Sequence, residues 1–127
     1  MKEVMAIVRM NMINKTKKAL SAAGFDSMTC RKVYGRGKKK VDYELINSLL
    51  SGGQIESPEV AEAVSEGHRL VPKRLLTLIV NDDEAEKVIN TIISVNKSAN
   101  AGDGKIFLIP VSNAIRVRTS EMGEEAI

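Results

Sequence analysis

Two strand–helix–strand units in a chain of 127 residues predict an α+β domain of ferredoxin-like type, built on an antiparallel four-stranded sheet. Three observations carry that expectation. An apolar run, a helical pattern and a second strand follow one another up to Tyr34, and the same order returns between Leu75 and Ile109. A long middle segment, about residues 38–72, separates the two units. The length fits one compact domain, so residues 1–127 are read as a single domain carrying one long loop.

The elements follow in order. Val4-Met5-Ala6-Ile7-Val8 is a strand that ends at Arg9. Asn14 offers a cap for a helix in which Ala19, Leu20 and Ala23 share one side, and Gly24 suits its stop. Ser27 to Tyr34 alternates as the second strand and holds Cys30, read as a small, half-buried strand residue. In the middle segment, Leu45, Ile46, Leu49 and Leu50 cluster before Ser51-Gly52-Gly53. Ser57-Pro58 then opens a second helical piece.

Leu75 to Val80 is the third strand. Asp82 or Asp83 caps the next helix, with Glu86 placed three residues beyond Asp83 as in a capping box. Ala85, Val88, Ile89, Ile92 and Ile93 form the strongest helical stripe in the chain and are read as core. Lys105 to Ile109 is the fourth strand, and Ala114 to Arg118 an extra short one near the C-terminus. Helices cover one face of such a sheet. The other face is also apolar, which predicts self-association through it.

Composition narrows the function classes. A net charge of +3, from 19 basic and 16 acidic residues, favours small anionic ligands without demanding a polyanion. One cysteine excludes an internal disulfide and fits a reducing cytoplasm. No apolar run approaches the roughly 18 residues of a membrane span, and no secretory pattern opens the chain, so a cytoplasmic protein without membrane insertion is expected. His68 is the sole histidine, no metal-ligand cluster is present, and no nucleophilic triad can be argued. Binding is therefore expected, not catalysis.

Three clusters have the residue types that hold phosphates. Gly35-Arg36-Gly37-Lys38-Lys39-Lys40 combines a close-approach backbone with cations. Gly102-Asp103-Gly104-Lys105 sets flexible amides beside a point charge. Arg116-Val117-Arg118, if extended, sends two guanidinium groups to one face as a clamp for a di- or triphosphate. Each alone has a plainer reading: a solvated basic hairpin, a turn, and edge-strand charges that discourage aggregation. Neither glycine cluster has Walker or Rossmann spacing.

Two rivals share the fold class. RNA-binding modules stack bases on sheet aromatics, whereas Phe25, Tyr34, Tyr43 and Phe107 are all this chain has, despite six basic residues between Arg31 and Lys40. No nucleic-acid partner is therefore expected. An acylphosphatase-type enzyme needs a tight glycine-arginine loop after its first strand, and Arg9-Met10-Asn11-Met12 does not supply one.

Taken together the clusters resemble the PII (GlnB-like) signal-transduction proteins, the nitrogen-sensing family. The likeness rests on Gly102-Asp103-Gly104-Lys105-Ile106-Phe107, on Ile115-Arg116-Val117-Arg118-Thr119, on Glu-Glu-Ala-Ile at residues 124–127, and on the spacing among them. Met28-Thr29, Gly35-x-Gly37 and Val71-Pro72-Lys73 match as well, so the likeness covers residues 1 to about 40 and 70 to 127.

The resemblance implies a trimer with nucleotide sites in clefts between subunits, where ATP and ADP compete and 2-oxoglutarate binds together with ATP and Mg2+. By carry-over, Gly102, Asp103, Gly104 and Lys105 cradle phosphates, and Lys105, Arg116 and Arg118 neutralise them. Met28 and Thr29 face the adenine, Ile7 and Ile79 form an apolar wall, and Gly35, Gly37 and Lys38 complete the nucleotide set. Lys39 and Lys73 meet 2-oxoglutarate. Departures are visible too. Lys39 stands where the family usually has the glutamine that helps hold magnesium, and a charged lysine cannot ligate a cation. Arg9-Met10-Asn11 replaces the usual Lys-Pro-Phe, and Thr77 a usual glutamate.

The lengthened middle loop is similar to that of the archaeal nitrogenase-associated branch. There two paralogues assemble together and inhibit dinitrogenase until 2-oxoglutarate rises, and this chain resembles the longer-looped one. The implied partners are a homotrimer or a mixed oligomer with a paralogue, and dinitrogenase or another nitrogen-metabolism protein. An ammonium-channel regulator is the alternative within the family. Leu45, Ile46, Leu49 and Leu50 are the candidate target-facing residues.

Overall fold

The computed structural model describes residues 1–37 and 70–127. It divides into two compact units, one of residues 1–33 with 73–127 and one of residues 34–72. Of the second, only residues 34–37 and 70–72 are described. The described elements, labelled in chain order, are β1 (Lys2–Arg9), α1 (Ile13–Ala22), β2 (Thr29–Gly35), β3 (Val71–Val80), α2 (Ala85–Asn96) and β4 (Gly104–Pro110). Short 3-10 turns occupy Met10–Met12 and Gly123–Ala126.

The four strands form one sheet in the order β2-β3-β1-β4. β1 runs antiparallel to both neighbours, with Val4 opposite Leu78 and Leu108, and Ala6 opposite Leu76 and Ile106. Because side chains alternate along a strand, this register sends Val4, Ala6, Val8, Leu76, Leu78 and Val80 to one face. There they meet Leu20 of α1 and Ala85, Val88 and Ile92 of α2 in a core that is aliphatic throughout. Fully buried side chains such as Leu20, Leu76 and Leu78 each contribute about 1.5–3 kcal/mol relative to exposure. The opposite face carries Met5, Ile7, Leu75 and Phe107, and Phe107 remains 46% exposed.

One polar contact is buried between the helices. Asn96 Nδ2 donates to Thr16 Oγ1 at 3.0 Å and to the Ile92 carbonyl at 2.9 Å, while Thr16 donates to the Met12 carbonyl at 2.7 Å. The pair ties the end of α2 to the start of α1, and a buried polar group costs stability unless so partnered.

Several local expectations shift. Asn14 does not cap α1; the turn at Met10–Met12 runs straight into the helix, with Met12 at the cap and no side-chain bond. Gly24 does follow the last turn, and the Phe25 N–H closes on the Leu20 carbonyl at 2.9 Å. The cap of α2 moves off Asp82 and Asp83 to Glu84, whose carboxylate accepts the Asn81 N–H at 3.3 Å. Ile93 is 44% exposed although its stripe is read as core; it lines an open groove with Ile106 and Leu108 of β4. Cys30 is exposed, since β2 is itself an edge strand.

Ala114 to Arg118 adds no strand to the sheet. Its hydrogen bonds go to its own returning chain: Ile115 bridges Met122, and Gly123 N–H donates to the Ala114 carbonyl at 2.9 Å.

Candidate functional site

The site forms where β4 begins. Residues 97–103 leave α2 and turn back into the sheet, and β1 lies alongside, so that Ile7 faces Lys105 and Val8 faces Gly104. Gly104 has φ +123°, and a Cβ there would lie 2.0 Å from the Ile7 carbonyl oxygen. Only glycine fits so close to the neighbouring strand. Gly102, at φ +98°, also needs the left-handed region, and a Cβ on it would press on Arg9 Nη2 at 3.2 Å.

Two cations of the open sheet face hold the loop by its acceptors. Arg9 Nη1 donates to the Asp103 carboxylate, and Arg9 Nη2 donates to the Ala101 carbonyl at 3.0 Å. Lys73 Nζ donates to the Gly102 carbonyl at 3.0 Å. Ser98 completes the staple: its hydroxyl donates to Asp103, and its N–H reaches the other carboxylate oxygen at 2.7 Å. The Ser98 side-chain bond, the Ser98 amide and the Arg9 guanidinium together hold the Asp103 carboxyl well below the usual carboxylate range. Asp103 is thus an ionised strut of the loop, with its oxygens already engaged.

With carbonyls drawn to Arg9 and Lys73, the loop is left with glycine-flexible amides beside Lys105. The Lys105 side chain is exposed and makes no hydrogen bond or ion pair among the described residues. It lines a groove of about 430 Å³ with Ile7, Asp103, Gly104 and the apolar side chains of Ile93, Ile106 and Leu108. An apolar wall beside amides and a cation suits an anionic ligand with an apolar or aromatic body. A phosphate-bearing ligand therefore fits. The Asp103 carboxylate is already committed to Arg9 and Ser98, so it is not a free ligand for a cation.

The single chain gathers only part of the expected set. Ile7, Gly102, Asp103, Gly104 and Lys105 converge, and Lys73 reaches them. Ile79 faces Glu3, four residues along β1 from Ile7, roughly 13 Å away at strand spacing. Met28 packs against the core and Thr29 is exposed at the start of β2, on the opposite edge of the sheet from β4. Gly35 ends β2, and Gly37 lies just beyond it. Arg116 is paired with Glu121 and the Glu125 carbonyl, and Arg118 is exposed; neither bonds to residues 102–105. Lys38, Lys39, Leu45, Ile46, Leu49 and Leu50 lie outside the described residues.

Arg9 and Ser98 were not among the expected site residues. Arg9 was detectable from alternation along β1, which puts it on the face of Ile7 and Met5. Ser98 carries no pattern of its own, only a position five residues before Asp103.

The fold and this loop define a ferredoxin-like α+β protein with a braced glycine-lysine loop, a candidate anion site, at the head of its last sheet strand. The model of the nitrogen regulatory protein P-II family matches residues 1–121, and the chain belongs to that family. Over its full length it is 42% identical to the nitrogen fixation nifHD region GlnB-like protein 2 of Methanobacterium ivanovii, covering 99% of that relative. It is 43% identical to the protein of the same description from Methanococcus maripaludis, each chain covered in full. Among solved structures, Arabidopsis thaliana PII bound to citrate superposes with a TM-score of 0.72 at 33% identity, over 99% of this chain and 91% of that one. PII proteins are regulatory signal-transduction proteins that assemble as trimers and bind ATP, ADP and 2-oxoglutarate. No helix among the described residues is long and apolar enough to cross a membrane.

Proposed function

We propose that this chain is a cytoplasmic nitrogen-status sensor. It binds ATP or ADP and 2-oxoglutarate in clefts between subunits of a trimer, and it acts on a nitrogen-metabolism protein through the segment 38–72. The observation that carries the reading is the Gly102–Lys105 loop, braced by Arg9 and Lys73 so that its amides and Lys105 border an apolar groove. The strand order supports an intersubunit cleft. Thr29 and Lys105 sit on opposite edges of one sheet, three strand spacings or roughly 14 Å apart, so one nucleotide meets both only when a second copy brings its β2 to this β4.

Linkage follows from Lys73. An effector carboxylate that engages Lys73 meets the same ammonium that holds the Gly102 carbonyl, so effector and nucleotide share one loop. If the two ligands favour one arrangement of the segment that follows β2, they shift its population and the affinity for the target. The names of the relatives from nifHD regions support a role in nitrogen fixation, and on the proposed reading the target is dinitrogenase, inhibited until 2-oxoglutarate rises.

Calorimetry with ATP, ADP and 2-oxoglutarate, singly and combined and with or without Mg2+, tests the reading. Saturable nucleotide binding is expected, with 2-oxoglutarate affinity changed by ATP. A protein that binds no nucleotide under any of these conditions overturns it.

A further inference from the structure

Arg116 meets a carboxylate of its own chain. Its Nη1 donates to Glu121, and its Nη2 donates to the Glu125 carbonyl at 3.0 Å. The turn between them is tight: Arg116 N–H donates to the Glu121 carbonyl at 2.9 Å, and Ser120 N–H donates to the Arg116 carbonyl at 2.8 Å. Ser120 takes φ +61°, a region that non-glycine residues seldom occupy. Arg118, two residues along, is exposed and makes no hydrogen bond or ion pair among the described residues. Of two neighbouring guanidinium groups, one therefore carries a built-in counter-ion and the other does not.

We infer that Glu121 is an internal counter-ion that competes with an anionic ligand for Arg116 and so sets how much negative charge a ligand must bring. The inference rests on the reading of Arg116 as a phosphate-binding residue. Glu121 and Glu125 use two of the five guanidinium donors, and the Arg116 and Glu121 side chains are 36% and 41% exposed. A pair this open to water is held weakly and can exchange. A bound phosphate beside an ionised Glu121 is repelled by it, whereas a di- or triphosphate that bridges Arg116 and Arg118 offers enough charge to displace it. Displacement frees the Glu121 side chain from the turn, so ligand occupancy is coupled to the conformation of residues 116–125.

The test is calorimetry on the full-length protein with ATP and with inorganic tripolyphosphate. Glu121→Gln keeps the side-chain shape and removes the charge, and both probes should bind about two- to fivefold more tightly to it than to the parent. Arg116→Gln should weaken both by about tenfold or more. Should Arg116→Gln weaken binding while Glu121→Gln leaves it unchanged or weaker, the counter-ion role is overturned and the site reading survives. If Arg116→Gln leaves binding unchanged, the site reading itself fails. Glu121→Ala, compared at equal folded fraction, must move affinity in the same direction as Glu121→Gln; opposite shifts overturn the inference.

Discussion

Arg9 and Lys73 stand directly opposite each other across β1 and β3, and both reach over the sheet edge to the backbone of one loop, at Ala101 and Gly102. Two like charges on facing positions repel unless anionic or carbonyl groups lie between them. Here the Asp103 carboxylate and two carbonyls supply those groups. The pairing turns a flexible glycine loop into a braced one, with the Lys73 ammonium held on the Gly102 carbonyl.

Gly104→Ala should be strongly destabilising. Its Cβ would overlap the Ile7 carbonyl on β1, and the strained backbone alone costs about 1–3 kcal/mol. Chemical denaturation should show a lower midpoint with an unchanged slope. A midpoint equal to the parent's would mean that β4 does not approach β1 this closely.

Asp103→Asn should weaken the protein near neutral pH and flatten its response to acid. The folded state holds this carboxyl below its ordinary value, so its contribution is complete above about pH 4, the unfolded carboxylate range. It fades as pH falls from there toward the depressed folded value. Thermal melts from pH 7 down to 2 should therefore converge for parent and variant at the acid end. Parallel curves across the whole range would remove the Arg9–Asp103–Ser98 staple as a source of stability.

Lys105→Glu should abolish most nucleotide affinity. Loss of a charge-assisted bond to phosphate costs about 1.5–3 kcal/mol, and the reversed charge adds repulsion. The circular dichroism spectrum should not change, because the Lys105 side chain is exposed and pairs with no described group. Titration with ATP decides the matter, and retained affinity would take Lys105 out of the site.

Deleting residues 43–68 should separate the two activities. On the proposed reading nucleotide binding rests on the braced loop at Gly102–Lys105 and should persist, while binding to the nitrogen-metabolism target should be lost. A pull-down with dinitrogenase alongside ATP calorimetry reads both. A deletion variant that still binds its target would assign target recognition to the ferredoxin-like unit.

The amino-acid sequence by itself determined the α+β class, because period-2 and period-3.6 apolar patterns report which side of each element faces the core. Val88 and Ile92 in α2 were legible on that ground. In β1 the continuous apolar run of residues 4–8 marked a strand, and only its register showed that Val4, Ala6 and Val8 face the core. The glycine-lysine loop before β4 was legible too, and its glycines lie where the backbone takes positive φ. Only the tertiary structure decided what those residues touch. Arg9 and Ser98 lie 94 and five residues from Asp103, and long-range hydrogen bonds leave no periodicity to read. The same holds at Arg116: alternation suggested an open pair with Arg118, but the chain turned back on itself and supplied Glu121 as a partner. Local pattern records burial, and pairing between distant polar groups is settled by register and loop path.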